Sequence, residues 1–448
     1  MSELIIIGGG LAGCEAAWQA AARGINVTLY EMRPHTTTPA HTTSFLAELV
    51  CSNSLGAKDI HHASGLLMEE LSKLDSLVLQ CAKQTALPAG GALAVDRAAF
   101  ATLITEKIST HPKIRIVRQE ITEIPQQPAV IASGPLTSEH LASSIQTLCG
   151  QDNLFFFDAI APIVSAESIN MNIAFKASRY AEDNTAGDYI NCPLNKDEYE
   201  AFVEALLSAE RIRLRDFENE IQTGVKTNSA RYFEGCLPIE VLASRGKDAL
   251  AYGPMRPTGL YNPNTHKRPY AVVQLRQDNL AATLYNMVGF QTNLTYAEQQ
   301  RVFRTIPALE NAEFVRFGQM HRNTFILSPA LLLPTLQFRY QPDLFFAGQI
   351  TGIEGYMGNI ATGLIAGINA AHWLLGKPII PTPPATMIGA LLQYITHAET
   401  SCFQPMKANF GILPPLDSPI RHKQQRIQQH LQRAQNAMNQ YLLTLAEI

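Results

Sequence analysis

The sequence predicts an α/β fold that begins with a Rossmann-like unit of a parallel sheet, and three features of its first residues lead to that prediction. Four apolar residues, Leu4–Ile7, run directly into a glycine-rich turn at Gly8–Gly13. Small residues with helical spacing follow at Ala12–Arg23. A second apolar run, Val27–Tyr30, ends at the acid Glu31. Strand, glycine turn, helix, strand and acid in this order are typical of a βαβ unit that binds a dinucleotide.

The glycines of this turn have separate physical roles in such a unit. Gly8 permits a tight turn, Gly10 lets backbone amides approach a pyrophosphate, and Gly13 lets the helix lie close to the strand. Glu31 lies near the ~20 positions beyond the turn at which an acid reaches a ribose hydroxyl. The predicted cofactor-binding residues are therefore Gly8, Gly9, Gly10, Leu11, Ala12, Gly13 and Glu31. The alternative is a plain glycine turn.

Length and composition favour a soluble globular protein of two domains. The chain has 448 residues, of which 46% are apolar and 17% are charged. No apolar run reaches the ~18 residues of a membrane span, and no basic segment precedes the first strand as in a secretion signal. We therefore expect a cytoplasmic protein that does not contact a membrane. The net charge of −4 argues against a dedicated nucleic-acid coat but permits a local basic face.

Two of the seven cysteines lie in turns that favour a chemical role. No CxxC pair is present, so the sequence predicts neither a disulfide framework nor a metal site. Cys51 precedes a polar Ser-Asn-Ser turn, and amide dipoles at the start of a following helix would favour its thiolate. Its alternative is a buried, unreactive cysteine. Cys236 follows a glycine and lies two residues before a proline, which predicts a rigid turn around its sulfur.

Two later segments also predict a ligand site. A polar cluster, His321, Arg322 and Asn323, lies between apolar runs, and it is either a surface turn or a group of side chains over a ligand. An apolar strand at Asp343–Gly348 then enters a glycine-rich segment that extends to Gly367. A second strand-to-helix junction late in the chain is typical of folds that close on the far end of a dinucleotide. It adds Gly348 and Gln349 to the predicted cofactor-binding residues.

A set of motifs spread in order over nearly the whole chain resembles the folate- and FAD-dependent tRNA (uracil-5-)-methyltransferases. The two cysteine motifs are specific to that family. Met357–Ile360 depart from the usual pattern, and Arg256 stands where a lysine is usual, so we expect altered affinity at most. The motifs are CSNSLG (51–56), PAGGALAVDR (88–97), YFEGCLPIE (232–240), GPMRPTGLYNP (253–263), RPYAVVQLRQDN (268–279), MHRNTFI (320–326) and FFAGQITGIEGY (345–356).

The resemblance implies an FAD-binding Rossmann-like domain of the glutathione-reductase type with a smaller α/β insertion domain. The first part of the FAD domain would span residues 1–175, the insertion that contacts tRNA residues 176–319, and the second part, with C-terminal helices, residues 320–448. The implied reaction is 5-methylation of a T-loop uridine of tRNA. Its carbon would come from 5,10-methylenetetrahydrofolate and its hydride from FAD that NADH or NADPH has reduced.

The same resemblance implies roles for the singled-out residues. Cys236 resembles the nucleophile that adds to carbon 6 of uracil, and Cys51 resembles a second group that assists close to the flavin. His321, Arg322 and Asn323 would form the folate pocket. Nothing in the sequence points to an obligate protein partner.

Two other interpretations stay open at this point. A flavoprotein that modifies wobble uridines with a partner GTPase would be expected to carry a long helical C-terminal domain, which this chain lacks. A flavin oxidoreductase acting on a small metabolite would need neither Cys236 nor a basic face.

Overall fold

The computed structural model describes residues 3–38, 40–150, 154–179, 187–212 and 237–448, without the side chains of 154–159, 320–322 and 402. Within these ranges two large hydrophobic cores, besides two small clusters, lie under two six-stranded sheets. The described helices include none that is both long enough and apolar enough to cross a membrane.

The first sheet is the parallel sheet that the sequence predicts. Its strand order is β16-β17-β7-β1-β2-β6, and every pair is parallel except the edge pair β16–β17. Because strand β1 lies between β2 and β7, the glycine turn that follows β1 opens at the middle of the sheet. The strands are β1 (Glu3–Ile7), β2 (Asn26–Glu31), β6 (Ile114–Arg118), β7 (Ala129–Ile131), β16 (Gln337–Phe338) and β17 (Gln341–Phe346).

Helices from both ends of the chain cover this sheet. The predicted N-terminal helix is α1, and the late glycine-rich segment leads into α11, a helix that is buried along most of its length. The helices of this part are α1 (Leu11–Ala22), α2 (Ala63–Lys73), α3 (Leu77–Gln84), α4 (Arg97–Ser109), α5 (Glu139–Cys149), α10 (Ser328–Leu331), α11 (Tyr356–Leu374), α12 (Met387–His397) and α13 (Lys423–Glu447).

Helices α1 and α11 touch backbone to backbone because two glycines of α11 face α1. A Cβ on Gly363 would lie 2.2 Å from the carbonyl oxygen of Ala12, and one on Gly367 would lie 2.5 Å from that of Ala16. No other residue fits at that separation. The N-terminal βαβ unit and the last third of the chain are therefore parts of one packed body.

The second sheet has the order β10-β11-β12-β13-β9-β14 and is antiparallel throughout. It includes β9, which lies before the expected domain boundary at residue 176. Its strands are β9 (Ile163–Ser165), β10 (Phe175–Ala177), β11 (Tyr189–Leu194), β12 (Ala271–Gln277), β13 (Leu284–Met287) and β14 (Phe314–Arg316), and its helices are α6 (Lys196–Ser208), α7 (Ile239–Ala243), α8 (Ala249–Tyr252) and α9 (Tyr296–Phe303).

Two small sheets complete the described structure. A two-stranded antiparallel ribbon of β8 (Leu154–Ala159) and β15 (Met320–Phe325) carries the chain into and out of the second sheet. A three-stranded sheet of β3 (Ser54–Ala57), β5 (Ala92–Val95) and β4 (Ala86–Leu87) follows the Cys51 turn. The Cys51 turn therefore lies where the first body meets the second sheet, because its neighbour Asn53 donates to Val95 O and to Gln277 O.

Candidate functional site

The glycine turn after β1 has the backbone that the spacing predicts for a dinucleotide site. Gly8 has a φ of +106°, a left-handed conformation that favours glycine, and its Cβ would lie 2.4 Å from Ala132 O. A Cβ on Gly13 would lie 1.8 Å from Gly8 O, so only glycine lets α1 approach the turn. A Cβ on Gly10 would meet nothing within 4 Å. Gly8 and Gly13 thus shape the turn, while Gly10 faces open space at the start of α1.

A groove runs along this turn and contains most of the residues that the sequence assigns to a cofactor. Its lining also includes Gln119 and Tyr356. Gly13 is not among the residues that line the groove; it packs against Gly8 instead. The predicted residues that line it are Gly8, Gly9, Gly10, Leu11, Ala12, Glu31, Gly348 and Gln349.

The Glu31 carboxylate is held at the end of β2, beside the turn. Oε2 accepts from Gly9 N at 2.9 Å, and Oε1 accepts from Arg33 N at 3.0 Å and from Arg33 Nε at 2.8 Å. Arg33 also forms an ion pair with Glu48, in which Nη1 donates to Oε2 at 3.0 Å. Burial alone would raise the pKa of Glu31, but the hydrogen bonds and charge of Arg33 outweigh burial and lower it. Glu31 is therefore an ionised acceptor in a fixed position.

The start of α11 faces the groove from the opposite side. Its N-cap, Gly355, has a φ of +85°, and no side chain caps the free N–H groups of its first turn. In that turn, Asn359 is buried, and its Oδ1 has no hydrogen-bond partner among the described residues. Open backbone donors together with a buried amide oxygen fit a polar ring system at this end of the groove. The sequence motifs did not single out Asn359.

A second cavity, of about 620 Å³, opens from the same place. It shares Gln349, Tyr356 and Asn359 with the groove, so the groove and the cavity adjoin at these three residues. Its other walls come from the Cys51 turn, from the start of α2 and from the second sheet, at Arg276 and Asn286. A volume in this range suits a ring-sized ligand of a second substrate.

Cys51 is half-buried and lines this second cavity. The predicted helix after it is wrong, because the next element is strand β3 and a helix starts only at Ala63. Long-range contacts hold the turn in its place. Cys51 N donates to Tyr356 Oη at 3.0 Å, and Cys51 O accepts from Arg97 Nη2 at 2.8 Å. The position of the Cys51 backbone therefore depends on side chains distant in sequence.

The other predicted site residues are placed less fully. Cys236 lies outside the described residues. The described chain resumes at Leu237, and Ile239 N donates at 2.7 Å to Gln291 O, a residue of the cavity wall. His321, Arg322 and Asn323 lie on strand β15, so their alternative as a surface turn is wrong. The Asn323 side chain is fully buried and is not among the described residues that line the groove or the cavity.

Comparison with known proteins decides the family. The model of the family described as "Glucose inhibited division protein A" matches residues 3–378. A methylenetetrahydrofolate--tRNA-(uracil-5-)-methyltransferase, TrmFO, of Pelotomaculum thermopropionicum is 57% identical over 98% of this chain and 98% of its own. The protein of the same name from Anoxybacillus flavithermus is 53% identical over 99% of this chain and 100% of its own.

The chain belongs to the methylenetetrahydrofolate–tRNA-(uracil-5-)-methyltransferase family. The resemblance predicted from the sequence is thereby confirmed. Among solved structures, GidA of Aquifex aeolicus has a TM-score of 0.68 at 16% identity, covering 99% of this chain and 75% of that one. At that identity the likeness shows the fold alone, and it confirms the predicted Rossmann-like α/β class. Membership in the methyltransferase family is consistent with a dinucleotide groove that adjoins a cavity containing a cysteine.

Proposed function

We propose that this protein methylates carbon 5 of a tRNA uridine, with methylenetetrahydrofolate as the carbon donor and FAD as the bound redox cofactor. One observation of the structure carries the proposal. The cavity lined by Cys51 adjoins the dinucleotide groove, with which it shares Gln349, Tyr356 and Asn359. A thiol, a flavin ring and a second substrate would meet at this junction. The sequence identity to family members of that name supports the same reaction.

The groove residues divide the binding of FAD among them. The open face at Gly10 and the N–H groups at the start of α1 would hold the pyrophosphate, and Glu31 would accept from a ribose hydroxyl. Gly348, Gln349 and the start of α11 would lie along the ring system. When bound and reduced by NADH or NADPH, FAD supplies the hydride of the reaction.

The two cysteines would provide the nucleophilic chemistry. Uracil carbon 5 is a poor nucleophile until a thiolate adds to carbon 6, and we assign that addition to Cys236. Cys51, in the cavity wall beside the groove, would act on the carbon 5 side. His321, Arg322 and Asn323 remain our assignment for the folate pocket.

Access to the target base also requires a change in the conformation of the tRNA. A T-loop uridine is stacked inside tRNA and must be extruded, at a cost of a few kcal/mol that phosphate contacts to the insertion at 176–319 would offset. From the tRNA substrate we propose that the reaction takes place in the cytoplasm.

Incubation of the protein with an unmodified tRNA transcript, labelled methylenetetrahydrofolate and NADPH tests the proposal. Digestion of the tRNA should then release labelled 5-methyluridine. Transfer of label from S-adenosylmethionine instead would refute the folate assignment. If a flavin oxidoreductase activity on a small metabolite were the true function, NADPH would be consumed but the tRNA would stay unlabelled.

Three cysteine variants separate the roles in the same assay. Cys51→Ala and Cys236→Ala should each reduce methyl transfer by more than about a hundredfold, because removal of a nucleophile or its assisting group costs at least that. The matched control is Cys192→Ala. Cys192 is fully buried in the second core, away from the cavity, so its variant should retain methyl transfer. Equal losses in all three variants would show that the sulfur atoms act only through folding.

A further inference from the structure

Three arginines from three different elements surround the turn that contains Cys51. Arg97, at the start of α4, donates to Leu49 O at 2.6 Å and to Cys51 O at 2.8 Å. Arg316, in β14, donates to Val50 O at 3.0 Å. Arg276, in β12, donates from Nε to Asn53 Oδ1 at 2.8 Å and from Nη2 to Ser52 Oγ at 2.6 Å. We call these residues the arginine triad.

The positive charge of the arginine triad exceeds the negative charge that neutralises it. Arg97 is paired with Asp278, whose two carboxylate oxygens lie 3.0 and 3.1 Å from Arg97 Nε. Within the described ranges, neither Arg276 nor Arg316 forms an ion pair with a carboxylate. Burial lowers the pKa of both guanidinium groups, yet arginine stays charged in proteins. A buried cation without an anion is costly, so this arrangement points to an anion at the turn.

Arg276 is the member of the triad that faces the cavity. It is only 7% exposed, and it lines the cavity together with Cys51 and Ser52. The hydrogen bonds of its side chain to described residues come from Nε and Nη2, so its third nitrogen, Nη1, has no partner among them. Because Cys51 and Arg276 line the same cavity, the sulfur and the guanidinium group belong to one wall of it.

We propose that the arginine triad holds the Cys51 sulfur as a thiolate, with Arg276 as the positioning residue on the cavity side. This inference rests on the proposed role of Cys51 and gives that role a physical cause. A thiolate is the nucleophilic and proton-accepting form of cysteine, and neighbouring cations favour it. The turn needs no helix dipole for this purpose, because the guanidinium groups supply the positive charge that a following helix was predicted to supply.

Other titratable groups lie around the turn and the cavity, and their charges would add to that of the arginine triad at Cys51. Tyr356 receives the Cys51 N–H, and Asp278 neutralises Arg97. His62, just before α2, and Lys407, in the loop before α13, are basic residues of the cavity wall. Glu354, just before α11, is an acidic residue of the same wall.

Alkylation of the FAD-loaded protein by iodoacetamide, followed over a pH range and read at Cys51 by peptide mass spectrometry, tests the proposal. In the unsubstituted protein, the midpoint of the rate profile should lie below the ~8.5 of an ordinary thiol. Arg276→Gln should raise the midpoint by about one pH unit or more, because a close opposite charge is lost. Arg276→Lys, which keeps the charge, should retain most of the low midpoint.

A second substitution shifts the charge in the opposite direction. Asp278→Asn removes the only carboxylate paired with the triad among the described residues and keeps the side-chain shape, so it should lower the midpoint. This variant tests the proposal even if Arg276→Gln does not fold. The matched control is Arg301→Gln, which removes an arginine from an exposed pair with Glu298 and should leave the midpoint unchanged.

The outcomes separate this inference from the proposed function. If the unsubstituted protein, Arg276→Gln and Asp278→Asn all show the same midpoint, the proposal that the arginine triad holds Cys51 as a thiolate is refuted. The alkylation profile needs neither tRNA nor folate. A protein that shows the predicted midpoints but produces no 5-methyluridine would refute the proposed function and leave the thiolate standing.

Discussion

Gly10 and Gly13 lie in the same turn but have different surroundings, and this difference can be measured. A Cβ at position 13 would lie 1.8 Å from Gly8 O, whereas one at position 10 would meet nothing within 4 Å. Gly13→Ala should therefore lower the free energy of unfolding by more than about 3 kcal/mol. Gly10→Ala should unfold like the unsubstituted protein but bind FAD at least about tenfold more weakly, a loss of about 1.4 kcal/mol. Thermal unfolding and flavin titration distinguish the two variants.

Glu70 predicts a dependence of stability on pH. Its buried carboxyl accepts from Met387 N at 2.7 Å and from Ile388 N at 2.9 Å, at the start of α12. Burial raises its pKa to about 8, and the two backbone hydrogen bonds oppose that rise only in part. The folded protein therefore keeps a proton that the unfolded chain releases above about pH 4.5. The stabilisation is complete below that pH and is lost as the pH rises to about 8.

Substitution of Glu70 isolates this effect. Between pH 5 and pH 8, the stability of the unsubstituted protein relative to Glu70→Gln should fall by more than about 1.4 kcal/mol, the value of one pKa unit. Urea denaturation at several pH values measures the difference. Glu69→Gln, one position earlier and half-buried, is the control and should show no such trend. A flat difference for both variants would contradict the prediction.

At the scale of elements, Asp96 makes two connections with one side chain. Its Oδ1 accepts from Ala99 N and caps α4, and its Oδ2 accepts from Leu280 N beside the second sheet. Asp96→Ala should lower the free energy of unfolding by about 2 kcal/mol or more, the upper end for a lost cap. Thr295→Ala, which removes the cap of α9, should cost about 1 kcal/mol. Equal losses in urea denaturation would show that the contact to Leu280 contributes nothing.

The elements that could be predicted are those with local causes. The βαβ unit follows from hydrophobic pattern and glycine spacing, and the start of α4 follows from Asp96 as its cap. The cofactor residues around Gly8 and Gly348 were predictable for the same reason, since glycine-rich junctions identify them. The turn at Cys51 was predictable from its polar residues, but its place in the molecule was not, because side chains distant in sequence hold it.

Distant contacts explain what the sequence missed at the site. The turn at Cys51 is positioned by Arg97, Arg276 and Arg316, which come from three separate elements. Which way Arg276 points depends on how the second sheet packs against the first body, and no periodicity encodes that. The available signal was Arg276, which directly follows the largely apolar stretch Ala271–Leu275 in the same strand. A buried strand rarely carries an arginine without a partner.

At the scale of the whole molecule, the two cores are joined through a small polar junction. Arg97, from the first body, pairs with Asp278 at the end of β12 and also holds the turn at Cys51. Arg97→Met should lower the free energy of unfolding by about 3 kcal/mol, because it leaves a buried carboxylate without its partner. It should also split one calorimetric transition into two, as the cores unfold separately. Arg301→Met, in an exposed pair, should leave a single transition.

The backbone contact between α1 and α11 also constrains when the cofactor can bind during synthesis. Gly363 and Gly367 contact the backbone of Ala12 and Ala16, so the groove is formed jointly by the first and the last thirds of the polypeptide. A ribosome that has released only the first few hundred residues has made the glycine turn but not the helix that closes against it. We therefore expect FAD to bind only after most of the chain has been synthesised. Truncated chains that lack α11 should be purified without bound flavin.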